Sequence, residues 1–139
     1  MKIQNLFTKK LAFLMLILMV FSCSSETEDA ERPNDPRDRF VGEWSVLEVP
    51  ASRLNYQVII TKDPNNSSQI LLQNFANSND KVKALVVSNT ATLLEQTFGD
   101  GWLLQSGSGT IESDGNIDFS FNIVISEESK KYSAIFSKN

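Results

Sequence analysis

Between residues 117 and 125 the chain alternates without a break. Ile117, Phe119, Phe121, Ile123 and Ile125 fall on one side, and Asp118, Ser120, Asn122 and Val124 on the other. A period of two is the mark of a strand with one buried face, and a helix cannot satisfy it. Just upstream, Asp114-Gly115 is the strongest hairpin signal in the chain, because a primed turn needs positive φ. The same texture begins at Phe40. Further runs fall at residues 40–46, 55–62, 69–73, 81–88, 91–98, 102–112 and 131–137, with turn-forming clusters such as Asp63-Pro64-Asn65-Asn66-Ser67 and Gly99-Asp100-Gly101 between them. Residues 81–88 and 91–98 are placed to pair across Asn89-Thr90. Inside the run at 102–112, Ser106-Gly107-Ser108-Gly109 permits a sharp bend, since glycine lacks the Cβ that resists one. The result is an all-β chain of about eight short strands and no convincing helix. A small antiparallel meander avoids exposed edges most simply by closing into a barrel. A two-sheet β-sandwich is the alternative.

Composition narrows the chemistry. The chain of 139 residues has no histidine, and Cys23 is its one cysteine. The folded part is therefore expected to have no internal disulfide, no histidine- or cysteine-based metal site and no catalysis built on either residue. The balance is acidic, with a formal charge of −4. That argues against nucleic acid, which wants a basic face, and against electrostatic adhesion to anionic lipid.

The N-terminal stretch has a different character. Residues 11–21, LAFLMLILMVF, form an apolar run of 11 residues after Lys9 and Lys10. A membrane-spanning helix needs roughly 20, and a basic start, a short apolar run and a small residue before a cysteine read as an export signal. Val20-Phe21-Ser22-Cys23 resembles a bacterial lipobox, which implies lipid attachment to Cys23 and cleavage before it. Phe21 departs from that pattern, where a smaller residue is usual. Cleavage there leaves 117 residues and, with Lys2, Lys9 and Lys10 gone, a formal −7. Residues 23–39 then read as the lipidated cysteine and a disordered acidic tether, with two prolines near its end and no large apolar side chain. Glu26, Glu28, Asp29 and Glu31 are a solvated run on composition alone. They also resemble the acidic export signal that follows the lipidated cysteine in surface lipoproteins of the Bacteroidota, which implies an outer-membrane, lipid-anchored protein at the cell surface. The expected division is a signal peptide at 1–22, the tether at 23–39 and a β-barrel domain at 40–139.

The barrel has a resemblance of its own. Phe40-x-Gly42-x-Trp44-x-Val46 looks like the opening strand of lipocalin-like and fatty-acid-binding-like barrels, which implies a tryptophan plugging one end. Gln69-Ile70-Leu71-Leu72-Gln73-Asn74-Phe75, Gly107-Ser108-Gly109-Thr110-Ile111 and Asp114-Gly115-Asn116-Ile117 are similar to stretches of small barrel-forming lipoproteins of the Bacteroidota. The family reading is thus a small lipocalin-like β-barrel lipoprotein. Lipocalins proper are longer, so their ligand cavity does not carry over with the likeness.

No catalytic constellation emerges. Ser106-Gly107-Ser108-Gly109 lacks the Gly-x-Ser-x-Gly spacing, the following helix and any histidine base of a nucleophile turn. Asp114, Asn116 and Asp118 have no closing bidentate acid for calcium. Asn65-Asn66-Ser67-Ser68 holds overlapping glycosylation-like triplets that serve equally as loop residues. Glu43, Glu48 and Glu95 lie on strands, where acids usually face solvent, although Glu48 shares the spacing of Trp44 and Val46. The aromatics Trp44, Tyr56, Phe75, Phe98, Trp102, Phe119, Phe121, Tyr132 and Phe136 form the candidate set. They either fill the barrel or line a small pocket near its mouth. No cofactor is called for. The expected function is a binding or interaction module meeting a protein or a glycan through its outside, and the alternative is a lipocalin-like carrier of a small apolar ligand.

Overall fold

A computed structural model describes residues 34–49 and 55–139. Among them are nine strands and no α-helix: β1 (Gly42–Val49), β2 (Asn55–Lys62), β3 (Gln69–Gln73), β4 (Lys81–Val87), β5 (Thr90–Leu93), β6 (Gln96–Phe98), β7 (Trp102–Ile111), β8 (Ile117–Ile125) and β9 (Glu128–Lys138). Every neighbouring pair is antiparallel, in the order β5-β4-β3-β2-β1-β9-β8-β7-β6, and β5 also pairs β7. That last pairing, Ala91 opposite Gly109 and Thr92 opposite Ser108, closes the ring. The fold is an eight-stranded antiparallel barrel with β6 as an extra strand, so the barrel reading holds and the open sandwich does not.

Alternation decides which side chains point inward. Trp44 and Val46 on β1, Val58 and Ile60 on β2, Ile70 and Leu72 on β3, and Ile117, Phe119, Phe121 and Ile123 on β8 are all buried, while their neighbours in sequence are not. Asn34–Asn139 is one compact unit. It contains every described strand, the closing pairing and the whole hydrophobic core, and so carries what it needs to fold alone.

Four details differ from the sequence reading, each for a physical reason. The run at 91–98 is two strands: the Leu94 N–H still donates to the Lys83 carbonyl at 3.1 Å, but the chain has left the ladder by Glu95. There the Gln96 side chain stands in for backbone: its Nε2 donates to the Lys83 carbonyl at 2.9 Å, and its Oε1 accepts from the Lys83 N–H at 2.8 Å. The irregularity in β7 falls between Leu104 and Ser106, upstream of the glycines expected to bend it. The final strand starts at Glu128 instead of residue 131, after a two-residue turn in which Ser126 and Glu127 both adopt positive φ. Finally, the compact unit takes in residues 34–39, which composition alone reads as tether. Asp35 caps a 3-10 turn, Pro36–Arg39, by accepting from the Arg37 N–H at 3.0 Å, and proline suits the first position because the turn leaves that N–H unpaired.

Candidate functional site

The two ends of the barrel are built differently. At the end where β1 begins, the 3-10 turn Pro36–Arg39 lies as a strap. Arg37 Nη1 donates to the carbonyl of Asn66 at 3.1 Å, tying the strap to the turn between β2 and β3. Lys62 Nζ sits 2.9 Å from Asp35 and 2.6 Å from Asp38. The Arg37 hydrogen bond, then that of Lys62, holds the Asp35 carboxyl well below the usual carboxylate range. Behind the strap, Phe40 is fully buried, and Trp44 Nε1 donates to its carbonyl oxygen at 2.8 Å. Satisfying the indole N–H is what lets so large a ring sit inside a narrow barrel. Lys138 Nζ stands 5.3 Å from the Trp44 ring centre and covers it from β9.

At the opposite end the seal comes from a turn. Between β3 and β4, residues 74–80 fold back over the barrel mouth, and Asn74, Ala76, Asn77 and Asn79 take positive φ. Asparagine tolerates that conformation, whereas Ala76 at φ 52° is disfavoured by about 1–2 kcal/mol. The strain is offset by burial of Phe75, which is fully enclosed. Its ring centre lies 4.8 Å from Phe121, 6.0 Å from Phe98 and 6.3 Å from Phe119. Hydrogen bonds fasten the turn at its edges: Asn74 Nδ2 donates to the Gln57 carbonyl at 2.8 Å, and Ser78 Oγ to that of Phe75 at 2.7 Å.

The same end holds an inward-facing acid. Glu48 is 6% exposed and Tyr56 is 8% exposed; the Tyr56 hydroxyl donates to Glu48 Oε1 at 2.7 Å. Burial, then the hydrogen bond to Glu48 and its charge, push the Tyr56 phenol far above its ordinary value of 10, with a smaller opposing pull from the Ala76 backbone. The folded state thus holds this proton more tightly than the unfolded chain. The stability it contributes is intact below pH 10 and is lost as pH rises beyond it. Tyr56→Phe removes the donor facing a buried carboxylate and is expected to cost about 1–3 kcal/mol at pH 7. Glu48→Gln keeps an acceptor and should cost less. Urea melts from pH 7 to 11 check both, and the alkaline fall in stability should flatten in Tyr56→Phe.

The candidate aromatics divide by position. Trp44, Tyr56, Phe75, Phe98, Phe119, Phe121 and Phe136 are buried, and Trp102 and Tyr132 are half-buried near the turn-sealed end. Phe119 packs on Phe136 at 4.6 Å, and Tyr132 stacks on Phe121 at 5.5 Å with the rings 14° from parallel. Trp102 meets Phe98 edge-on at 5.7 Å. Trp44 lies at the other end and joins none of these pairs. Cys23, Glu26, Glu28, Asp29 and Glu31 lie outside the described residues.

Space for the rings comes from glycine. Gly107 faces Phe121 and Gly109 faces Phe119 across the β7–β8 ladder. A Cβ on Gly109 would land on the Phe119 ring, and one on Gly107 would come within 2.6 Å of Phe121 Cβ. The glycines act as notches into which phenylalanines of the next strand fit. Asp114 spends both carboxylate oxygens on Asn116, at 3.0 and 2.8 Å, and so shapes its own turn. Among the described residues no three acidic side chains gather where a metal ion could be shared.

One residue at the sealed end, Gln96, stands outside the candidate set drawn from sequence, and it left no signal there, because its role depends on where β4 passes. Outside the barrel, four of the five exposed large hydrophobics among the described residues lie on adjoining strands: Leu47 and Val49 on β1, Ile59 on β2 and Ile135 on β9. Leu47 sits directly opposite Ile135. Grooves of about 520 and 420 Å³ run on either side of Ile135; the first is bordered by Ser45, Asn55, Gln57 and Ser137, the second by Asp118, Ser120 and Ser133 beside Val49.

No protein-family model matches this chain, and no curated protein matches it. Among solved structures it is similar to a redesigned β-barrel at 15% identity and a TM-score of 0.46, over 76% of this chain and 96% of that one.

Proposed function

We propose that this protein is a lipid-anchored outer-membrane lipoprotein, displayed at the cell surface, whose small barrel is an interaction module working through its outside. The observation that carries the outside-in reading is the filled interior: rings from Phe75, Phe98, Phe119, Phe121 and Phe136 occupy the space where a carried ligand would lie. The apolar residues on β1 and β9, bordered by serine, asparagine and glutamine on one flank and by Asp118 on the other, supply an outer face on which a protein or glycan partner can rest. The anchor rests on sequence: the lipobox-like Val20-Phe21-Ser22-Cys23 and the acidic run after it. Several acyl chains on one cysteine hold firmly, since each buried methylene adds about 0.8 kcal/mol.

The test is fractionation. Cys23→Ala should release the protein from membranes and abolish its acyl mass, leaving the barrel folded. Retention with unchanged mass would end the lipoprotein reading. Replacing Glu26, Glu28, Asp29 and Glu31 together by alanine should keep the lipid but protect the protein from protease added to intact cells. Unchanged cleavage would return the run to a soluble spacer.

A further inference from the structure

We infer that the turn over residues 74–80 is a removable plug, and that Phe75 occupies a built-in site for one small, neutral, planar aromatic ring. This goes beyond the surface-module reading and does not depend on the anchor. Two independent features meet at this place. The first is the origin of the rings. Phe98, Phe119 and Phe121 are carried by strands, and the backbone ladder fixes where they sit. Phe75 is carried by a turn that is closed within itself, by the Asn74 N–H to the Asp80 carbonyl at 2.8 Å and by Ser78 on the Phe75 carbonyl, and that is tied to β2 by the exposed Asn74 side chain on the Gln57 carbonyl. It fills an aromatic cage that the barrel would keep without it.

The second feature is the wall. Around the barrel, backbone ladders join each neighbouring pair from β1 through β5, then β5 to β7, β8, β9 and back to β1. β6 has a ladder to β7 but none to β4. Beyond a single backbone bond, from the Leu94 N–H to the Lys83 carbonyl at 3.1 Å, that seam is closed by side chains: Gln96 on Lys83, and Asp80 Oδ2 accepting from the Gly99 N–H at 3.0 Å. Asp80 is the last residue of the plug turn, and Phe98 at the end of β6 touches Phe75. The turn that carries the Phe75 ring therefore borders the one seam, among the described residues, that parts without breaking a strand ladder. Withdrawal of residues 74–80 exposes the ring faces and edges of Phe98, Phe119 and Phe121. An entering phenyl-sized ring takes over the offset and edge-on contacts that Phe75 gives up. A charged ligand is disfavoured: the buried Glu48 at this end repels an anion, and its Oε1 already accepts from Tyr56, so what the site offers an entering group is ring surface.

The test uses fluorobenzene with the Asn34–Asn139 unit, followed by fluorine and amide NMR. The wild-type unit should bind it saturably, with shift changes concentrated at residues 74–80 and 96–99. Gln96→Ala leaves the core rings in place and opens the seam, and should tighten binding at least threefold. Phe75→Ala needs no plug displaced and should bind at least tenfold tighter than wild type; Phe75→Leu serves if the alanine variant does not fold. No saturable binding to a folded wild-type unit would overturn the inference, even if Phe75→Ala binds, since the site would then be plain core. Shifts confined to the outer strand faces would overturn it equally.

Discussion

Phe121→Ala should lower the stability of the Asn34–Asn139 unit by about 3–5 kcal/mol, a large part of the roughly 5–15 kcal/mol available to a domain of this size. The residue is central in β8 and 1% exposed. Its ring lies against Phe75 and stacks on Tyr132, and its Cβ fits the notch at Gly107. Truncation leaves a void between elements that cannot collapse together, because ladders on both sides hold β8 in place. Trp44→Ala should cost a similar amount at the strapped end and also strand the Phe40 carbonyl. Asn122→Ala is the control: its side chain faces outward and loses one exposed hydrogen bond to Ser106 Oγ. Urea melts separate the cases. If Phe121→Ala melts near wild type while Asn122→Ala does not, the inward facing assigned to β8 is reversed.

Gly107→Ala should also destabilise, by about 1–3 kcal/mol, although the ordinary expectation has the opposite sign. Glycine inside a strand is usually a weakness, and alanine there commonly gains about 0.5–1 kcal/mol. At Gly107 the added Cβ would meet Phe121 Cβ at 2.6 Å, Leu93 Cδ1 at 2.7 Å and the Ser120 carbonyl oxygen at 2.9 Å. The leucine methyl can rotate away. The other two atoms are backbone or fixed to it within a regular ladder, so the strands themselves must part. Gly109→Ala is a different case, since the three atoms nearest its Cβ all belong to the ring of Phe119, the movable end of a side chain. The double variant Gly109→Ala/Phe119→Leu should therefore lose less than the sum of the two single changes, while Leu93→Ala should fail to rescue Gly107→Ala. Thermal melts of the five variants decide it. A Gly107→Ala unit more stable than wild type would mean that β7 and β8 do not pair in this register.

Much of the barrel could be read because its strands declare themselves locally. Ile117 to Ile125 alternates on its own evidence, and Asp114-Gly115 marks its turn by chemistry that no distant contact supplies. What could not be read depends on partners far away in sequence. Gly107 and Gly109 look like a bend until Phe121 and Phe119 are known to lie opposite them. The interruption after Leu93 leaves no periodic trace, because Gln96 repairs it with a side chain. Ser126-Glu127 forms a tight hairpin without glycine, asparagine or aspartate, so the start of β9 carried no turn label. Pro36–Arg39 reads as tether by composition, and only its grip on Lys62 and on the turn after β2 makes it part of the domain. Glu48 follows the inward spacing of β1, but the donor that makes its burial tolerable, Tyr56, had to be supplied by the neighbouring strand.

The filled barrel, with its turn-borne ring at the centre, is tested most directly by proton NMR contacts among the aromatic side chains of the wild-type Asn34–Asn139 unit. Phe75 ring protons should show strong cross-peaks to Phe121, whose centre is 4.8 Å away, and weaker ones to Phe98 and Phe119 at 6.0 and 6.3 Å. Gly109 α-protons should show strong cross-peaks to the Phe119 ring. A Phe75 ring with no contact to these three, together with exchange-broadened Phe119 and Phe121 rings, would contradict the packed interior on which every stability expectation above depends.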